Sequence, residues 1–391
     1  MLKKLRKFLH MAQNDYQIAI IGGGPAGSTA AIYLSDAGFN TCIIEKKSFP
    51  RETLCGEFLS KEVVEILSDL NLKDEFLSLN PNLINSFRFF NQSGENIFSK
   101  LDFPAYGLKR STFDNFLLSA AKRRGVTIFQ PADVRNIEFD EGKHLLTISN
   151  NNNSSFLTAS TLIAAYGKQN SLDRTLNRTF AEQKSGLNGV KFHIEEKGLR
   201  DFDDNEIHVY AGNGIYCGVN AVNDNLVTVC FLEDRKTYRK TVRQHLIDLL
   251  EVNRSFKKLF SNGFEKTIRE THLYGTGNIY FGFRNLVQDG IYFIGDSAGV
   301  IAPLAGDGIG MAMETGKLLS QLFIKQREEK INNTEMEHLY INSWKSAFQK
   351  RLKSAKMVQD IVLHNLRRNL GFSFVKLFPP FLPYLINVTR H

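Results

Sequence analysis

The stretch YQIAIIGGGPAGSTAAIYLSDAGFNTCIIE, residues 16–45, decides the fold. An apolar run at residues 18–21 leads straight into Gly22, Gly23, Gly24, Pro25, Ala26 and Gly27, and small residues carry a helical pattern on to Ala37. A second apolar run, residues 42–44, ends on Glu45. Strand, G-x-G-x-x-G turn, helix, strand and acid in this order predict a dinucleotide-binding unit. Gly22 permits the tight turn, Gly24 lets the backbone approach a pyrophosphate, and Gly27 lets the helix lie close to the strand. The helix opening at Pro25 and Ala26 turns free amides and a positive dipole end toward the phosphates. Glu45 falls about 20 residues beyond the glycines, where an acceptor for ribose hydroxyls belongs.

The 391 residues are 42% hydrophobic and 23% charged, a soluble globular composition with enough apolar surface for a large core and two domains. No apolar run reaches the about 18 residues that read as a membrane-crossing helix. Cys42, Cys55, Cys217 and Cys230 lack metal-ligand spacing, so no metal site is expected, and a reducing compartment is. Residues 1–13 are basic without a long apolar segment or a cleavage signal, which points to the cytoplasm. The net charge of +8 is unevenly placed. Residues 1–11 carry +4 and residues 345–391 carry +8, leaving −4 on the body. No nucleic-acid-binding module accompanies the charge, so nucleic acid is not an expected partner. Basic ends that also carry apolar residues suit anionic lipid, at the inner face of a membrane.

Residues 49–60 read FPRETLCGEFLS and follow the second strand closely. This segment resembles the flavin-dependent oxidoreductases that include geranylgeranyl reductases and the p-hydroxybenzoate hydroxylase-like group A monooxygenases. The resemblance implies that Arg51 lies over the cofactor and that Cys55 and Gly56 pass near the isoalloxazine ring. Arg110, Phe113, Asp114, Leu117 and Leu118 match the family's RxxFDxxLL helix, which gives Arg110 a cofactor contact. LIAAYGKQNSLDR, residues 162–174, is similar to the second cofactor motif through Gly167, but Tyr166 stands where the family carries Asp. GDSAGVIAPLAGDGIGMAM, residues 295–313, resembles the third. There the family assigns Asp296 to the ribityl chain, with Gly295 before it among the cofactor-binding residues, while the 303–310 turn with Gly306, Gly308 and Ile309 aims amides and a helix start at the pyrimidine edge. That edge gains negative charge on reduction, which a positive dipole end stabilises. Three motifs spread along the chain imply bound FAD, with Lys46 beside Glu45 among its contacts.

The expected fold class is α/β: a Rossmann-type, glutathione reductase-like FAD-binding domain interleaved with an antiparallel β-sheet substrate domain, plus C-terminal helices. The FAD-binding domain takes residues 12–80, 105–184 and 277–330; the sheet domain takes 81–104 and 185–276; residues 331–391 form the helical end and apolar tail. Trp344, Phe348, Leu352, Ala355, Val358, Val362 and Leu366 fall on one helical face. Tyr210 and Tyr216 are expected to face the substrate cavity, Tyr216 and Cys55 being the candidate catalytic residues. Trp344 is the chain's one tryptophan, so neither the halogenase WxWxIP motif nor the YxWxFP motif of typical geranylgeranyl reductases is present.

The resemblance implies a monooxygenase that uses NADH or NADPH transiently as reductant and hydroxylates a hydrophobic aromatic or polyketide-like small molecule. The first alternative is reduction of isoprenoid carbon–carbon double bonds with Cys55 as participant. The second is a non-catalytic flavin redox sensor.

Overall fold

In the first sheet the apolar run becomes the strand Asn14–Ile21, whose last four side chains are all buried. It pairs in parallel with Thr41–Ile44 on one side and Asn153–Ala164 on the other. Thr127–Phe129 extends the sheet beyond the former, and Ile291–Phe293 and Val287–Gln288 beyond the latter. The antiparallel hairpin Asp133–Asp140 and Lys143–Asn150 hangs from Asn153–Ala164. A strand buried on both faces reads as a continuous apolar run rather than an alternating one, as residues 18–21 do. The computed structural model describes residues 14–150, 153–237, 239–260 and 264–388. The basic residues 1–11 lie outside them.

Close helix packing explains the glycines better than turn chemistry alone. A Cβ on Gly27 would sit 2.0 Å from the Gly22 carbonyl oxygen, and one on Gly316 would sit 2.6 Å from that of Ala26. Helix Pro25–Asp36 therefore lies against its own turn, and helix Gly308–Glu329 lies against it in turn.

The second sheet runs Tyr274–Thr276, Leu187–Glu195, Leu226–Asp234, Ile215–Ala221, Glu206–Gly212, Asn82–Phe90, Asn96–Gly107, Phe58–Leu59. It departs from a purely antiparallel sheet at one place: Glu206–Gly212 runs parallel to Asn82–Phe90. The strand Asn96–Gly107 and the short Phe58–Leu59 draw residues from either side of the expected 81–104 boundary into it. Its side chains alternate between two environments. Tyr210, Cys217 and Val219 pack under the helices Val242–Val252, Arg254–Leu259 and Phe264–Glu270. Val209, Ala211 and Tyr216 face the other way, toward Val362 and Phe372. Tyr210 is thus a core residue, stacked on Phe90 at 4.6 Å, and not the cavity residue expected.

Helix Asn333–Leu363 buries Trp344, Phe348, Leu352, Ala355 and Val362 on one face. Leu366 does not continue this face, because the helix ends at His364 and a new one, Asn365–Leu377, begins. Leu366 is exposed. Residues 372–388 are helical in part: Phe372 belongs to the helix that ends at Leu377, and Phe381–Val388 forms the last. The second half of the long helix is pinned at two points. Arg351 is paired with Asp307, and with Glu314 at 2.7 Å, at the start of Gly308–Glu329; Gln359 Oε1 accepts the Tyr216 hydroxyl at 3.0 Å. No helix among the described residues is long and apolar enough to cross a membrane.

Trp344 is fully buried between Phe283 and Phe348. Trp344→Ala should cost about 3–5 kcal/mol, read as a lower urea midpoint at unchanged slope.

Candidate functional site

The candidate cofactor-binding and catalytic residues, except Gly27 and Gly295, line one cavity between the two sheets. Gly27 and Gly295 lie beneath it as packing residues: Gly295 is left-handed (φ 61°), and its Cβ would fall 2.8 Å from that of Ala26. The cavity encloses 1320 Å³. That exceeds the about 300–1,000 Å³ of an ordinary small-molecule pocket and leaves room for a dinucleotide and a second molecule.

At the dinucleotide end the walls are glycine. A Cβ on Gly24 would meet only Arg51 Nη2, at 3.7 Å, and one on Gly56 or Gly167 would meet nothing within 4 Å. Beside this cradle Glu45 accepts the amides of Gly23 and Lys47, both at 2.8 Å. These fix its carboxylate at the edge where a ribose would hydrogen-bond. Lys46 lies next to it, paired with Asp133 at 3.1 Å. Arg51 is anchored by Asp114 at 3.5 Å and stacked on Phe49 at 4.6 Å, yet its buried Nε has no hydrogen-bond partner. Open glycine walls, a helix start and a guanidinium Nε that lies 3.7 Å from Glu45 without hydrogen-bonding it suit a diphosphate-linked cofactor such as FAD.

Arg110 is no solvated helix-start arginine. It is buried and bidentate on Asp114, at 2.7 and 2.9 Å. Burial would lower its pKa, but Asp114 and Cys55 beside it hold it up. The Cys55 sulfur also accepts the Glu57 amide at 3.3 Å.

Glu57, which the sequence reading passed over, is the hub of the site. It is fully buried and held in left-handed backbone (φ 59°). Oε1 accepts the Arg110 amide at 2.8 Å and Lys191 Nζ at 2.7 Å; Oε2 lies 2.6 Å from both His193 Nε2 and Thr228 Oγ1. Burial alone would raise the Glu57 pKa, but His193 and Lys191 pull it down to about 2. Burial would likewise lower the pKa of Lys191, and Glu57 and Glu52 raise it. Glu52, Glu57 and His193 have the spacing of a cation site. The Lys191 ammonium already bridges the two carboxylates there, 2.7 Å from each. The signal open to a sequence reader was polar alternation: Lys191 and His193 interrupt the apolar run 189–194 on one face of a strand.

The missing aspartate before Gly167 is replaced in space. Tyr166 donates its hydroxyl to Asp173 Oδ1 at 2.7 Å, and Arg178 bonds both groups while donating to the Ser297 carbonyl at 2.9 Å. The second motif is thereby tied to the third. Asp296 faces the cavity paired with Lys168 at 3.0 Å.

Beyond the cradle the cavity turns apolar, walled by Phe87, Phe89, Tyr216, Leu232, Phe372 and Val375. Burial raises the Tyr216 phenol well above its ordinary value and pushes the Cys230 thiol up to about 12.

The family described as FAD binding domain matches residues 15–332. A digeranylgeranylglycerophospholipid reductase of Methanothermobacter thermautotrophicus is 25% identical over 79% of this chain and 77% of its own. A 1H-pyrrole-2-carbonyl-[peptidyl-carrier protein] chlorinase of Pseudomonas fluorescens is 22% identical over 79% and 76%. The structure of a flavin-dependent brominase superposes with a TM-score of 0.78 at 18% identity, covering 96% of this chain and 93% of that one.

Two substitutions test the site. Gly24→Ala should leave the urea midpoint unchanged but weaken FAD binding at least about tenfold, a loss of about 1.4 kcal/mol, measured by flavin titration. Glu57→Gln should cost about 1–3 kcal/mol at neutral pH, because Lys191 keeps only Glu52 as an anionic partner and the buried donors around Glu57 lose their charged acceptor. The Glu57 pKa is depressed from 4.5 to about 2, so its contribution is complete above the unfolded value and drains as pH falls toward 2. The variant's stability should therefore vary less with pH across that window in denaturant melts.

Proposed function

This chain belongs to the FAD binding domain family, and on that premise we propose that it is an FAD-dependent monooxygenase hydroxylating a hydrophobic, aromatic or polyketide-like molecule. The carrying observation is the apolar chamber continuous with the cradle. The carboxylates that line the cavity, Glu45, Glu57, Asp133, Asp173 and Asp296, all sit on segments that build or border the cradle. The chamber itself offers aromatic and aliphatic walls. Its one charged lining residue is Arg368, whose guanidinium is buried and turned to backbone carbonyls such as that of Val362 at 3.1 Å. Such a chamber favours an uncharged substrate and excludes water, the condition under which reduced oxygen is spent on the substrate rather than released.

Bound FAD supplies the two-electron chemistry, from a nicotinamide to dioxygen. Overall, NAD(P)H, a proton, dioxygen and a substrate C–H become NAD(P)⁺, water and C–OH. The chain's own contribution is positional. Gly24 and the helix start at Pro25 would receive the diphosphate, Glu45 would accept from the ribose, and Arg51 would bind beside them. The amides opening Gly308–Glu329 place a positive dipole end where negative charge gathers. Phe87, Phe89 and Phe372 seat the substrate by apolar contact, and Tyr216, its hydroxyl donated to Gln359, stays protonated because burial disfavours the phenolate.

A second reading, reduction of a carbon–carbon double bond, is favoured by Cys55 and by the similarity to an isoprenoid lipid reductase. A hydride originating from NAD(P)H and passed on by bound FAD would reach one carbon and the Cys55 Sγ proton the other, the thiolate left behind being stabilised by Arg110 and the Glu57 amide. Solvent would restore the proton.

The readings separate in one assay. The proposal expects consumption of NAD(P)H and dioxygen to rise together with substrate, and Cys55→Ala to keep turnover within a few-fold. Anaerobic reduction of an isoprenoid, lost by about 10²–10⁴ in Cys55→Ala, would establish the reductase instead.

A further inference from the structure

Among the described residues thirteen large apolar side chains are exposed, and seven of them fall between Met357 and Tyr384. Such crowding marks a contact surface rather than scattered surface hydrophobics. On helix Asn365–Leu377, Leu366, Leu370, Phe374 and Leu377 recur at i, i+4, i+8 and i+11, which is one stripe. Leu366, Leu370 and Leu377 are 73%, 66% and 76% exposed. The opposite side of the same helix, Phe372 and Val375, is buried over the cavity. The helix is apolar on two sides, and only one of them is covered by the described residues.

The stripe adjoins the way into the chamber. Met357 and Phe374 are exposed and also line the cavity. Phe374 carries the aromatic surface outward, with ring centroids 5.1 Å from both Phe378 and Phe381. Exposed Pro379, Pro380 and Tyr384 complete the tip. Exposed cations flank it: Lys353 one turn before Met357, Lys356 beside it, and Arg367 between Leu366 and Leu370.

We infer that the C-terminal helices dock this protein on an anionic lipid bilayer, with the cavity mouth opening onto the acyl region. Charge selects this occupant over a second copy of the chain. Two copies meeting at this face would oppose their own cations, whereas an anionic headgroup layer neutralises them. An aromatic and proline tip beside a leucine stripe is the composition of an interfacial anchor, which lies in the surface without spanning. A substrate of chamber-like polarity partitions into the bilayer and would reach the flavin laterally, without crossing water. The docking holds whichever oxidation or reduction the flavin performs.

Flotation of the full-length, FAD-loaded protein with phosphatidylcholine vesicles, and with phosphatidylcholine–phosphatidylglycerol vesicles, tests this. The protein should float with the anionic vesicles, less with the neutral ones, and less in high salt. Combined Leu366→Ser, Leu370→Ser, Leu377→Ser and Phe378→Ser should abolish flotation while flavin absorbance and the urea midpoint hold. Lys353→Glu with Arg367→Glu, which touches no apolar contact, should remove the preference for anionic vesicles. The inference is overturned if the parent stays at the bottom with anionic vesicles or floats equally with neutral ones. It is also overturned if the serine variant floats as well as the parent, or if light scattering shows a dimer that the serine variant dissolves.

Discussion

A buried carboxylate, Glu57, ties the dinucleotide-binding half of this molecule to the second sheet. Glu57 is carried by the segment that follows the dinucleotide unit, and its oxygens take the Arg110 amide from the first half and Lys191, His193 and Thr228 from the second sheet. Burying a charge this deeply is tolerable only when every lone pair is answered, and here four donors answer it. The left-handed backbone at Glu57 is the local cost of aiming the side chain inward. Because Cys55 and Gly56 precede it directly, the same anchorage sets the cavity wall.

The parts legible in the sequence are those whose chemistry is local. Gly22, Gly24, Gly27 and Glu45 can be read because a diphosphate needs close amides and a ribose needs an acceptor, all supplied within thirty residues. The segment from Gly295 to Ile309 is legible for the same reason. What escapes is long-range. The partners of Glu57 lie 53 to 171 residues further on in the chain, and nothing near Glu57 names them. The loss of the aspartate before Gly167 looked like a lost carboxylate, and the fold returns one through the Tyr166 hydroxyl and Asp173. Tyr210 was misplaced by one step of strand alternation, since a strand packed on both sides gives no polar face to fix its phase. The break at His364 was hidden because apolar spacing continues across it to Leu366.

Charge and polarity are distributed with the same logic. The cradle holds the acids and the fixed cations, where a charged cofactor belongs. The chamber beyond it is apolar, and its outer rim is apolar and basic. A substrate would therefore pass from lipid-like surroundings to a flavin held by polar groups without meeting an unpaired charge. The long helix Asn333–Leu363 makes this continuous: Arg351 binds it to Asp307 at the cofactor side, and Gln359 binds it to Tyr216 at the chamber.

The claim on which all of this rests is that the glycine-walled end of the cavity holds FAD. The direct measurement is the visible spectrum of the purified, folded protein together with mass spectrometry of the small molecule it releases on denaturation. The account predicts a yellow protein that releases FAD in stoichiometric amount, or takes it up when added. A colourless, folded protein that releases no flavin and leaves added FAD unbound would contradict it.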